Sequence, residues 1–379
     1  MSAVAERGAN GRPTAAAPAP AMGDAVPAVP FDHEQLIVRR GARSGAHVIV
    51  AIHSTALGPA LGGVRMWHYP GVEDAVRDAL RLADGMTWKA AAAGLELGGG
   101  KGVIRLPEPT PPAPETRRGA LLDFADLVES LGGRYITAED VGMSPEDLVT
   151  IRQRTQHVTG LPPAHGGSGD PSPFTALGLE VAMKACARER FGSDDLEGRR
   201  VAIIGLGHVG SWLARRLTVD GADLLVCDID PAKRHLADEL GATWLDPAEA
   251  TLAECDVLAP CALGGAIDRH NVSLLGCEIV CGSANNQLAE QGLDEALAER
   301  GILYAPDFIV NAGGLIHVYK EIRGYSEQRA RQLVLGIGRT IATTLATARA
   351  RETTPLRAAL ELAHERIEAT RPAEAPAVA

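Results

Sequence analysis

The sequence predicts an α/β protein with two domains, the second built on a doubly wound parallel sheet. Three observations carry this. The chain has 379 residues, more than one core usually organises. Residues 200–230 read as strand, glycine turn, helix and strand, the opening of a βαβ unit. Short apolar runs at 257–259, 278–281 and 302–305 then alternate with helical or loop stretches, which suits a parallel sheet of roughly five or six strands.

Composition narrows the function. A hydrophobic content of 46% with 22% charged residues excludes a chain disordered throughout. No run approaches the ~18 apolar residues of a membrane-spanning helix, which excludes an integral membrane protein of that kind. The net charge is −11, from 37 basic and 48 acidic side chains, and no basic stripe is present. Phosphate contacts supply most nucleic-acid affinity, so such a chain is a poor nucleic-acid binder. Six cysteines, all from Cys186 onward, are too sparse for a secreted disulfide framework. Only Cys277 and Cys281 lie close together, with no second half-site, so no metal centre is expected. Buried free thiols in a reducing cytoplasm are the better reading. Fifteen of the first thirty residues are Ala or Pro and no apolar core of a signal peptide follows Arg7. Residues 1–30 therefore read as a flexible tail outside the fold.

The elements follow in order from Gln35. His47–Ser54 is apolar and β-branched, a strand. Residues 57–65, LGPALGGVR, read as a Gly/Pro-rich loop. Val72, Val76, Ala79, Leu80 and Ala83 recur at helical spacing and predict a helix that ends at Gly85. A second helix runs from about Glu115 and is stopped by Gly132. RYITAED is a strand entering a loop. Ser144-Pro145 starts a helix, with Ser as N-cap and Pro in the first turn. Residues 161–173, rich in Gly, Pro and Ser, read as a linker. Beyond it come a helix and the βαβ unit, and the end of the chain is helical over about 325–350 and 354–370.

Gly205-Leu206-Gly207-His208-Val209-Gly210 follows an apolar strand directly and opens a helix. On its own, GxGxxG is a tight turn. With a helix N-terminus behind it, the turn can hold a pyrophosphate. Asp228 ends the next strand, where its carboxylate can accept ribose hydroxyls. That carboxylate would repel a 2′-phosphate, which favours NAD over NADP; Lys233 and Arg234 leave NADP as the lesser reading.

The first half carries Lys89 and Lys101 in GMTWKAAAAGLELGGGKGV. It is no phosphate loop, since the first glycine of that motif falls on Leu95 and Gly102 replaces its Ser/Thr. Lone lysines are usually solvated charges. Two among small apolar residues are different: burial beside a second cation lowers a lysine's pKa and makes it a base near neutral pH. The other can stay charged and hold an anion. Asp140, in TAEDVG beside Glu139, is either a turn carboxylate or a partner of these lysines. The amide- and glycine-rich runs GSANNQ and VNAGG read as late loops at the carboxyl ends of the second sheet, where clefts bind ligands.

The chain resembles the dehydrogenases that act on glutamate, leucine, phenylalanine and valine. The matching stretches are LGPALGGVRMW, GMTWKAAAAGLELGGGKGVI, RYITAEDVG, GSGDPSPFTALG, GLGHVG, APCALGG, GSANNQL and YAPDFIVNAGG, in family order over about residues 35–370. The resemblance implies an α/β substrate domain over 31–165, with C-terminal helices about 345–370 packing back on it. A Rossmann-type NAD-binding domain over 166–344 completes it, with a cleft between the two. It also implies reversible oxidative deamination of an L-amino acid to a 2-oxo acid, ammonium and NADH in a cytoplasmic homo-oligomer. Lys101 matches the lysine that activates water, and Asp140 its acidic partner. Lys89 matches the carboxylate-binding lysine, helped by Gly62, Gly63 and Asn285 or Asn311. Leu61, Ala138 and Leu315 match side-chain-pocket positions. Thr175, Ala262, Ser283, Ala284 and Asn285 match cofactor contacts. The form TAED and the Ala138 methyl favour branched aliphatic substrates, while ILYAPDF and AIHSTALGP resemble the phenylalanine branch, so L-phenylalanine is the alternative. Val64 and Tyr319-Lys320 depart from the family pattern near the expected cleft. A non-catalytic relative would be expected to lose Lys89, Lys101 or Asp140. A hydroxy-acid dehydrogenase would use a His/Asp pair instead.

Overall fold

A computed structural model describes residues 31–108, 110–324 and 326–370; the expected tail over 1–30 lies outside the described residues. In the first half, β1 (Gln35–Arg40), β2 (His47–Ser54), β3 (Ala60–His68), α1 (Val72–Ala92), β4 (Gly98–Leu106), α2 (Pro114–Glu129), β5 (Tyr135–Glu139) and α3 (Pro145–Arg152) follow in order. The strands form one sheet, β1-β2-β4-β3-β5, in which β2 runs antiparallel to both neighbours and the other pairs are parallel. HVIVAIHS is apolar throughout because both faces of β2 are covered. Ile49 and Ala51 pack with Ala75, Ala79 and Ala83 of α1. Val48, Val50 and Ile52 pack with Phe124 and Val128 of α2 and Leu148 of α3.

The second half contains α4 (Ser172–Phe191), β6 (Arg200–Ile204), α5 (His208–Val219), β7 (Asp223–Cys227), α6 (Arg234–Leu240), β8 (Thr243–Trp244), β9 (Val257–Pro260), β10 (Ile279–Val280), α7 (Leu293–Glu299) and β11 (Leu303–Tyr304). These strands form a six-stranded parallel sheet, β11-β10-β9-β6-β7-β8. The chain leaves β6 toward one edge and returns at β9 toward the other, so a crevice opens at their carboxyl ends. Five more helices close the chain: α8 (Asp307–Val310), α9 (Gly313–Arg323), α10 (Glu327–Leu335), α11 (Ile337–Ala350) and α12 (Pro355–Glu368). Contacts gather the described residues from His33 onward into one compact unit.

Several expectations are corrected. Ala60–His68 is a strand, not part of a loop: it pairs with β4 on one side and β5 on the other. The first helix does not stop at Gly85 but runs on to Ala92. The ~1 kcal/mol that a mid-helix glycine costs is outweighed by strong helix formers beyond it, among which Ala90 and Ala91 are buried. The second helix ends at Glu129, before Gly132. VNAGG is not a loop but the junction of α8 and α9, because Ile309, Val310, Leu315 and Ile316 are buried at helical spacing. The helix expected over 325–350 is two, α10 and α11. Of the helices expected to pack back over about 345–370, α12 does so, against α1. Arg366 donates to the carbonyls of Ala91 and Leu95 at the end of α1, at 2.7 and 2.9 Å. α11 packs on α4 instead.

Residues 161–173 are not a free linker either. Leu161 is buried, Pro163–His165 form a single 3₁₀ turn, and α4 has already begun at Ser172. The segment is stitched to α9 by one carboxylate. Glu321 accepts from Thr159 Oγ1 (2.7 Å), Gly160 N (2.9 Å), Ser168 N (2.6 Å) and the Ser168 hydroxyl. Glu321→Ala leaves these donors without an acceptor and is expected to lower the stability by about 2–3 kcal/mol. Urea unfolding checks this, and Glu321→Gln, which keeps one acceptor, should lose less.

Candidate active site

The site begins with how closely α1 approaches β4. A Cβ on Gly99 would lie 2.1 Å from Thr87 Oγ1, so only glycine lets the helix sit on the strand. Thr87 and Gly99 lie two residues before Lys89 and Lys101 respectively, and the close packing brings both lysines into one region. Asp140 follows β5 immediately. Lys101 Nζ donates to Asp140 Oδ2 at 2.7 Å, and Lys101 is only 5% exposed. Burial pushes the Lys101 ammonium below its ordinary pKa; Asp140 opposes this and Arg65 adds to it. Burial alone would raise the Asp140 carboxyl, but Lys101 and Arg65 outweigh it and hold it below the usual carboxylate range.

Lys89 lies in the last turn of α1 and is partly exposed. Crowding by protein pushes its ammonium down to about 8, with Asp307 opposing and Lys101 adding to the effect. Its Nζ lies 3.5 Å from Asn285 Oδ1, across from the second sheet. The same Oδ1 accepts from Asn311 Nδ2 at 2.8 Å, and Asn311 Nδ2 also donates to the Ser283 carbonyl at 3.1 Å. Lys89, Asn285, Asn311 and Ser283 are thus one group drawn from both halves of the chain. Asn311 Oδ1 is buried without a hydrogen-bond partner among the described residues.

The other expected pocket residues divide. Leu61 and Leu315 join one apolar cluster, from β3 and α9. A Cβ on Gly63 would lie 2.9 Å from Asp140 Cβ, so Gly63 borders the acid. The Gly62 carbonyl instead accepts from the Tyr135 hydroxyl, inside the core. Ala138 is half-buried on β5. Val64 does not face the cleft: strand alternation turns it into the opposite core, with Val48 and Ile52. Tyr319 is buried in the cluster that holds Leu61 and Leu315. Arg65, Asp78 and Asp307 belong to the site and were not singled out from sequence. Arg65 was legible, since it lies two residues past Gly63 on the same strand face.

The second sheet fits a dinucleotide. Gly205 has φ +106°, and a Cβ there would lie 2.8 Å from that of Ala262, after β9. The turn therefore sits in the switch-point crevice. No side chain caps the start of α5, which leaves its first amides available to phosphate. Asp228 is fixed just past β7, its Oδ2 accepting from Leu206 N at 2.7 Å and its Oδ1 from Asp230 N at 2.9 Å. A cavity of about 170 Å³ beside the turn is lined by Gly207, His208, Trp212 and Lys233 among others. Thr175 lies in the first turn of α4, its hydroxyl donating to the Pro171 carbonyl at 3.2 Å. Ala284 is buried, and its amide donates to the Pro260 carbonyl at 2.9 Å.

Fold and site together define a dinucleotide-dependent oxidoreductase. Residues 34–167 match the profile described as Glu/Leu/Phe/Val dehydrogenase, dimerisation domain, and residues 229–373 that of the Glutamate/Leucine/Phenylalanine/Valine dehydrogenases. Residues 179–266 also match the NAD binding domain of D-isomer specific 2-hydroxyacid dehydrogenases, a match confined to the second half. The leucine dehydrogenase of Thermoactinomyces intermedius is 47% identical over 90% of this chain and 92% of its own length. That of Geobacillus stearothermophilus is 46% identical over 91% and 94%. The crystal structure of L-tryptophan dehydrogenase from Nostoc punctiforme superposes with a TM-score of 0.79 at 40% identity, covering 89% of this chain and 97% of that one. The chain belongs to the Glu/Leu/Phe/Val dehydrogenase family.

Proposed function

We propose that this protein catalyses the reversible, NAD-dependent oxidative deamination of branched-chain L-amino acids, yielding the 2-oxo acid and ammonium. One observation carries the reading. A buried lysine–carboxylate pair, Lys101–Asp140, stands near a second lysine, Lys89, which is joined through Asn285 to the dinucleotide half of the chain. NAD, when bound, supplies the acceptor for the hydride leaving the substrate Cα. Gly205, Leu206, Gly207, His208, Val209 and Gly210 hold its pyrophosphate and Asp228 its ribose, with Thr175, Ala262, Ser283, Ala284 and Asn285 lining the rest. Lys89 holds the substrate carboxylate, with the Gly62–Gly63 backbone and Asn311. Lys101, once neutral, takes a proton from the water that adds at the substrate Cα, and Asp140 exchanges protons with the amine nitrogen. The pair sits in a water-poor setting where such charges act strongly.

Residues 31–165 with α12 form the substrate domain, and 166 to about 350 the NAD-binding domain. The dimerisation profile over 34–167 supports a homo-oligomer. The free cysteines suit a reducing, cytoplasmic setting.

Leu61, Ala138 and Leu315 line the side-chain pocket, and the leucine dehydrogenases at 46–47% identity support an aliphatic substrate. One methylene is worth only ~1–3 kcal/mol in such a pocket, so leucine, isoleucine and valine should all be turned over. An aromatic preference is the second reading, favoured by the likeness to a tryptophan dehydrogenase. NADH consumption with ammonium and the 2-oxo acids of leucine, isoleucine, valine, phenylalanine and tryptophan decides between them. The highest kcat/KM is expected with the aliphatic acids, and a higher value with either aromatic acid overturns the assignment.

The cofactor choice rests on Asp228. Asp228→Ser should lower kcat/KM for NAD about tenfold to a hundredfold, the loss of a charged hydrogen-bond partner, and improve NADP relative to NAD. A parent enzyme that prefers NADP would contradict it.

A further inference from the structure

Behind the lysine–acid pair stands a second cation whose bonds bear on the pair's protonation. Arg65 Nε donates to Asp140 Oδ2 at 2.9 Å, the same oxygen that Lys101 Nζ reaches. Its other end is braced: Nη1 donates to Asp78 Oδ2 at 2.9 Å. Asp78 is itself held by the Tyr69 hydroxyl at 2.6 Å and by Arg81 at 2.9 Å. The guanidinium side chain is only 22% exposed, so it is spanned between two carboxylates of different elements rather than solvated. Arginine, unlike lysine, cannot give up its proton at any pH the enzyme meets.

On the reading that Lys101 is the base, we propose that Arg65 is its positioning residue, a permanent cation that keeps Asp140 charge-compensated and in place whether or not Lys101 carries a proton. The physical need is plain. When Lys101 becomes neutral, Asp140 would be left as a largely buried carboxylate with no counter-charge, which is costly. The pair would avoid that state by holding on to its proton, and Lys101 would be a poor base. With Arg65 on the same oxygen, deprotonation leaves a compensated ion pair behind. The charged and titratable groups around Lys101 are Asp140 from the segment after β5, Arg65 from β3, and Asp78 and Lys89 from α1. Tyr69 and Arg81 act on Asp78, and Asp307 acts on Lys89.

The test is the pH dependence of kcat/KM for the amino acid, in the direction of oxidative deamination, in the whole enzyme. Arg65→Gln should move the limb that rises with pH upward by about one unit or more, from loss of a like charge beside the base. Arg65→Met, which keeps an apolar stem, should do the same and stands in if the first variant does not fold; unchanged NADH binding shows folding. Arg65→Lys should return the limb toward its original position without restoring the full rate, because one ammonium cannot span Asp140 and Asp78. A limb unmoved in both neutral variants, or moved as far in Arg65→Lys, overturns the role of Arg65. A rising limb that survives in Lys101→Ala instead refutes the base assignment beneath it, so the two failures are distinguishable.

Discussion

Lys101→Ala is expected to lower kcat by roughly 10²–10⁴-fold, the contribution of a positioned general base, while leaving NADH affinity unchanged. The separation follows from the fold. Lys101 lies in β4 of the first sheet, whereas the glycine turn and Asp228 lie in the second. The variant also leaves Asp140 with Arg65, so the pocket keeps a compensated carboxylate and should fold. In the parent enzyme, activity should rise with pH toward an apparent pKa below the ~10.4 of a free lysine, since burial opposes the ammonium. That limb should vanish in Lys101→Ala. Steady-state kinetics with NADH-fluorescence titrations checks both halves, and near-normal turnover would refute the mechanism.

Lys89→Ala is expected to raise the KM for amino acid and 2-oxo acid about tenfold to a hundredfold, the loss of a charged hydrogen bond, and to lower kcat because the substrate is misplaced. A pH signature separates it from Lys101. The Lys89 ammonium titrates near 8 in the unliganded protein, pushed down by burial. Below that value it is charged and binds a carboxylate. As pH rises through it the cation is lost, and affinity should fall about tenfold per unit. Binding of a carboxylate raises the lysine's pKa again, so at high pH Lys89 takes up a proton as the ligand binds. Titration of a non-reacting carboxylate analogue across this range should show the decline in the parent and none in Lys89→Ala. A flat profile in the parent would contradict the assignment. With Lys101 acting in the opposite sense, kcat/KM should be bell-shaped.

The second sheet was largely legible because its signals are local. GLGHVG after an apolar strand, Asp228 after the next, and three later apolar runs sit where β6, β7 and β9 to β11 are found. Only β8, two residues long at the sheet edge, carries too little pattern to read. The first half was harder where glycine has two meanings. In Ala60–Arg65 and Gly98–Gly102 it marks close packing of strands and helix, not turns, and a sequence does not say which. Gly85 misled differently: nothing packs closely on it, and the helix formers around it carry α1 straight through.

Residue types and chain order were thus determined by sequence alone: two lysines and an acid in one half, a dinucleotide turn in the other. Only the tertiary structure decided who pairs with whom. Lys101 takes Asp140, Arg65 shares the same oxygen, and Lys89 reaches Asn285, 196 positions along the chain. Each of these contacts depends on how closely α1 sits on β4 and on which face of β3 points to the cleft. A one-residue change of register would send Arg65 into the core and Val64 into the site. Local pattern fixes a side chain's face once the strand is known, but charges acquire their partners, and their pKa values, through distances that packing alone sets.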